Sequence, residues 1–272
     1  MSQIFAGYAL ATRPIALDTV STGIEGLETG ETSVDSGGFE LPAYYARPAG
    51  NVSSPVVLVI HEIFGVHEHI KDVCRRLAKQ GYYAIAPELY ARQGNVAGIS
   101  DMQQIIQKVV SKVPDPQVLS DLDATVEHVR DSGKGDTSRL GVVGFCWGGR
   151  IVWLYSAHQP KLIAGAAWYG KLTAGPYSKP ETQPKQPVDV AGQLHGAILG
   201  LYGGKDDGIP LSNVAQMRDA LKAAGKNRCQ IVVYPEAGHA FNADYRPSYH
   251  EASAKDAWAK MLDWFDKHGL GG

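Results

Sequence analysis

The sequence predicts an α/β chain built on a doubly wound, mostly parallel sheet, with helices on both faces and no large lid domain. Three observations carry this. Short apolar runs recur along the chain, and amphipathic stretches separate most of them. One run ends in a Gly-x-Cys-x-Gly turn that leads straight into a helix-like stretch. Alternation of this regularity is the mark of a layered α/β domain.

The elements follow in order. Residues 1–37 have weak periodicity and many Gly, Thr and Ser, and read as an irregular N-terminal extension to a domain spanning 38–272. Residues 39–46 alternate and read as an edge strand, a position that suits Pro42. The run Pro55-Val56-Val57-Leu58-Val59-Ile60 is continuous, as in a strand buried on both faces. Further strands are predicted at 82–86, 140–143, 163–168, 197–202 and 230–234. Helices are predicted at 70–80, 102–113, 118–131, 150–158, 213–224 and 250–268. The Pro- and Lys-rich piece 174–187 has the composition of a surface loop, too short for a lid, so a fairly open site is expected. Ligands of such sheets bind at the carboxyl ends of the strands.

A chain of 272 residues with net charge -2 suits one domain with a sizeable core. Charge so near zero gives no electrostatic case for nucleic acid or for an anionic membrane surface. Cys74, Cys146 and Cys229 are odd in number and far apart, which argues against a disulfide framework and for a reducing compartment. The first seven residues lack a basic start followed by an apolar core, and no run is long or apolar enough to span a bilayer. A cytoplasmic location is therefore expected. Nothing in the sequence sets an oligomeric state.

The segment Gly144-Phe145-Cys146-Trp147-Gly148-Gly149 has the strand–turn–helix context of a nucleophile elbow, with cysteine at the centre. A free cysteine usually just packs, so the reading depends on partners elsewhere. A thiol nucleophile needs a base, and the base needs a group to orient it. Asp206 lies in the Gly-rich turn after the strand at 197–202, and His239 on the loop after the strand at 230–234. Each alone has an ordinary explanation, as turn chemistry or as a solvated loop histidine. Together they fall in the order nucleophile, acid, histidine. Asp207 competes with Asp206, which is preferred because Asp207-Gly208-Ile209-Pro210 reads as the exit turn. The amides of Ile63, after the first buried strand, and Trp147, after the nucleophile, are the candidate oxyanion-hole pair. His61, His67 and His69 match no zinc spacing and read as a polar loop.

These residues together resemble the dienelactone hydrolase (carboxymethylenebutenolidase) family from about Phe39 onward. The motifs are His61-Glu62-Ile63-Phe64-Gly65, Pro87-Glu88-Leu89-Tyr90-Ala91-Arg92-Gln93, the cysteine elbow, Trp168-Tyr169-Gly170, Gly204-Lys205-Asp206 and Gly238-His239-Ala240-Phe241. The resemblance implies an α/β-hydrolase fold without metal or organic cofactor. It implies Cys146 as nucleophile, His239 as base, Asp206 as orienting acid, and Glu62 beside the thiol as its activator. It implies a small ester or lactone substrate held by Arg92, Tyr169 and Phe241. The family's second substrate arginine falls here on Ala243, with Arg246 three residues further on. Acyl transfer, or thiol sensing on the same fold, are the alternatives to hydrolysis.

Overall fold

The computed structural model describes residues 7–12, 19–50, 53–176 and 178–271. Eight strands form one mixed sheet: β1 (Leu27–Ser36), β2 (Phe39–Pro48), β3 (Ser54–Ile60), β4 (Tyr83–Pro87), β5 (Gly135–Phe145), β6 (Leu162–Trp168), β7 (Ala197–Gly203) and β8 (Gln230–Tyr234). Their spatial order is β1-β2-β4-β3-β5-β6-β7-β8. The first two strands run antiparallel to their neighbours, and the remaining pairs are parallel. The flanking helices are α1 (Glu68–Lys79), α2 (Met102–Lys108), α3 (Asp115–Asp131), α4 (Trp147–His158), α5 (Leu211–Ala223) and α6 (Glu251–Lys267).

The continuous apolar runs behave as expected. All seven residues of β3 and all seven of β7 are buried, because helices cover both faces there. In α1 the buried residues include Ile70, Val73, Cys74, Leu77 and Ala78, a helical stripe turned to the sheet. No helix among the described residues is long and apolar enough to cross a membrane.

One expectation fails at the N-terminus. Residues 27–36 are not irregular; they form β1, the outermost strand, and β2 lies between β1 and β4 rather than at the edge. Gly37 and Gly38 close the hairpin with φ of 63° and 84°, the two left-handed residues that a tight primed turn requires. Residues 1–6 and 13–18 of the expected extension lie outside the described residues.

Candidate active site

β5 delivers Phe145 to a turn in which Cys146 has φ 53° and ψ -112°. The next residue begins α4, so the sulfur stands at a helix N-terminus, at the positive end of the macrodipole. The turn can be this tight because Gly148 presses on β3: a Cβ there would lie 2.3 Å from the Ile60 carbonyl oxygen. The Cys146 amide donates to Trp168 O at 3.0 Å, pinning the elbow to β6.

His239 arrives on the loop after β8, with Nε2 3.2 Å from Cys146 Sγ. Its Nδ1 lies 2.7 Å from Asp206 Oδ2. The carboxylate fixes the proton on Nδ1 and turns Nε2 to the sulfur. Asp206 is itself held by the amides of Gly208 and Ile209, which donate to Oδ1 at 2.9 and 3.1 Å. Asp206 is buried and Asp207 exposed, so the carboxylate preferred from sequence is the one engaged. Burial alone would depress the His239 pKa; the facing Cys146 sulfur and the Asp206 carboxylate outweigh it and lift it to about 10. The imidazole side chain remains 36 % exposed, so solvent tempers that pairing.

Three non-glycine residues among those described have positive φ: Cys146, Tyr169 and Ala240. All three are at or next to this group. Left-handed backbone at non-glycine residues clusters where function over-determines the geometry.

A cavity of about 540 Å³ opens over the thiol. Ile63, Trp147, Ile106, Val110 and Ile209 give it apolar walls, and Cys146 and His239 lie in it. Trp147 supplies the first N–H of α4, which has no intrahelical acceptor. Among the described residues four cationic side chains line the cavity. Arg150 is tied to Asp115 and Lys205 to Glu236, which leaves Lys171 and Arg246 clear of described carboxylates. Arg246 lies over the Phe64 ring at 5.4 Å.

Behind Cys146 is a buried polar chamber. Glu62, 0 % exposed, accepts a hydrogen bond from the Tyr245 hydroxyl on Oε2, while Oε1 is buried without a partner. It is thus neither at the surface nor hydrogen-bonded to the thiol. His67 Nε2 stands 3.9 Å from Oε2. Burial works against charge on Glu62, but His67, His69 and the Tyr245 hydroxyl outweigh it and draw its pKa down to about 2. Burial lowers the His67 pKa, against the opposing pull of Glu62. His69 Nδ1 lies 3.0 Å from Asp244 Oδ1. His61 accepts the Leu89 amide on Nε2, which puts its proton on Nδ1, 2.6 Å from Glu62 O. The three histidines expected in a polar loop are therefore all buried.

The expected substrate contacts divide. Tyr169 lines the cavity, but its hydroxyl is buried and unpartnered. Phe241 is fully buried behind Tyr169, with ring centroids 5.4 Å apart, and braces that ring rather than facing the cavity. Arg92 is also elsewhere. Its guanidinium forks onto buried Asp121 at 2.7 and 2.6 Å, donates to Ser36 O at 3.0 Å and covers the Phe39 ring. Asp121 lies on α3, a partner that local sequence does not indicate. Lys171, Tyr245 and Asp244 were not legible as site residues.

A mostly parallel sheet with a strained cysteine turn, and with histidine and aspartate on the loops after its last two strands, defines an α/β-hydrolase. The dienelactone hydrolase family model matches residues 41–269, and the chain belongs to that family. A protein of Methylorubrum extorquens named "Putative carboxymethylenebutenolidase" is 54 % identical over 99 % of this chain and 91 % of its own length. A protein of Bradyrhizobium sp. named "Probable 2-oxo-3-(5-oxofuran-2-ylidene)propanoate lactonase" is 30 % identical over 96 % of this chain and 98 % of its own. The crystal structure titled "Putative Dienelactone Hydrolase" from Klebsiella pneumoniae, 55 % identical, covers 89 % of this chain and 99 % of its own with a TM-score of 0.85. The chain is a dienelactone hydrolase-like hydrolase of small molecules.

Proposed function

We propose that this hydrolase cleaves small carboxylic esters or lactones through an acyl-enzyme on Cys146. The observation that carries the reading is the line from sulfur to imidazole to carboxylate, 3.2 and 2.7 Å, opening into the cavity. The Cys146 thiolate adds to the substrate carbonyl carbon. The amides of Ile63 and Trp147 receive the oxyanion, each such donor contributing about 3 kcal/mol of barrier lowering. Collapse breaks the carbon–oxygen bond, and the leaving oxygen takes the proton from His239 Nε2. A water then gives its proton back to Nε2 as it attacks the thioester, the carbon–sulfur bond breaks, and the acid leaves.

The apolar walls suit a compact acyl or ring skeleton. Arg246 and Lys171, rather than Arg92, are the cations available to an acidic substituent on it, and the lactonase name of one relative supports the lactone class. The test is turnover of an activated short-chain ester and an enol lactone by wild type and by Cys146→Ala. Loss of both activities in the variant is expected; equal rates defeat the proposal.

A further inference from the structure

The N-terminal segment outside the family match ends up against the chamber that holds Glu62. The Tyr8 ring lies 5.5 Å from that of His67 and 5.4 Å from that of Tyr245. The Tyr245 ring is also 5.1 Å from His67 and 5.1 Å from His69. Tyr8 thus completes the wall that fixes the ring whose hydroxyl holds Glu62. The Val20 amide donates to Asp244 Oδ2 at 2.7 Å, and the same carboxylate orients His69 through Oδ1. Arg76 reaches Asp244 Oδ2 at 3.3 Å and also pairs with Asp72, which accepts the Thr22 amide at 2.6 Å. Glu68 N donates to Gly7 O at 2.9 Å, and Leu10 N to Ala97 O at 2.9 Å. The segment's described residues are therefore bonded at several points, one of the bonds reaching the chamber itself, where the Tyr8 ring also packs.

We infer that this segment is a positioning element of the active site, in which Tyr8 and Val20 fix the Tyr245–His67–His69–Asp244 group that sets the state of Glu62. The inference rests on the reading of Cys146 as nucleophile, with Glu62 charged behind it. The groups facing Glu62 are His67, His69, Tyr245 and Tyr169; those facing the thiol are His239, Tyr90 and Tyr169. Tyr169 feels the charge of both Glu62 and Cys146. Oε1 of Glu62 and the hydroxyl of Tyr169 are both buried and unpaired, so an acceptor and a donor here have their pairings left open. A chamber wall that moves would change which of those pairings forms, and with it the charge seen by the thiol.

The test follows the alkylation of Cys146 by iodoacetamide from pH 5 to 10, read by mass spectrometry of its own peptide, beside kcat and KM on the activated ester. The proteins are wild type, Glu62→Gln, Tyr8→Ala, Tyr8→Phe and Val20→Pro, which removes the donated amide. Tyr8→Ala and Val20→Pro are expected to move the alkylation midpoint in the direction of Glu62→Gln by about half a pH unit or more. Their kcat is expected to fall about tenfold with KM within about twofold. Tyr8→Phe keeps the ring and is expected to keep the wild-type profile; a segment that adds stability alone would leave all the profiles superimposed. Superimposed profiles for wild type and Tyr8→Ala overturn the inference. Ester turnover that survives Cys146→Ala defeats the reading of Cys146 as nucleophile instead, and the alkylation profiles still decide the role of the segment.

Discussion

The two sides of the elbow handle charge in opposite ways. In front, Cys146, His239 and Asp206 form a short chain in which each link has a partner, and the chain opens on a cavity. Behind, Glu62, His67, His69 and Tyr169 lie in a buried chamber where several polar atoms have none. A satisfied chain can pass a proton at little reorganisation cost, whereas a half-satisfied buried group responds strongly to any change around it. The front is satisfied and open; the back is buried and left partly unsatisfied.

The largest expected effect sharpens this contrast. His239→Ala is expected to lower kcat/KM by about a thousandfold, because the imidazole is the proton-transfer group at the sulfur. Steady-state kinetics on a preparation that a melting curve shows to be folded check it. Tyr245→Phe is expected to show first in stability, costing about 1–3 kcal/mol in urea unfolding because a buried carboxylate loses its donor. A Tyr245→Phe protein as stable as wild type would break the comparison.

The pH limbs separate the two sides next. His239 is raised from 6.5 to about 10 in the fold, so the stability it contributes is full below pH 6.5 and is lost as pH rises through 10. Glu62 is lowered from 4.5 to about 2, so its contribution is present above pH 4.5 and is lost as pH falls through 2. Cys146→Ala is therefore expected to flatten the alkaline limb of urea stability and to leave the acid limb in place. Movement of both limbs together would mean that front and back are one electrostatic unit. The smallest effect is expected at Arg92→Ala, with kcat/KM on a neutral ester within about twofold of wild type, since that guanidinium serves Asp121. A large loss on an acidic ester alone would return Arg92 to the site.

Much of this was legible before any coordinates. The run at 55–60 read as a buried strand because every one of its residues is apolar, and the structure buries them all. The elbow, Asp206 and His239 were legible because each sits at a strand end with turn residues beside it. β1 was not, because its Thr, Glu and Ser lie at a half-exposed edge where pairing rather than apolar burial makes the strand. The chamber was hidden for another reason: His69 and Asp244 are 175 residues apart, and neither is unusual in its own neighbourhood. Arg92 looked free because its partner lies 29 residues away on a helix.

The left-handed backbone at Cys146, Tyr169 and Ala240 has a further consequence. Each such residue costs on the order of 1–3 kcal/mol. A glycine at 146 would release that strain and remove the sulfur in one step. With Cys146 as the proposed nucleophile, robustness and turnover pull against each other at the same codon, and unselected drift toward a sturdier protein would run toward a silent one.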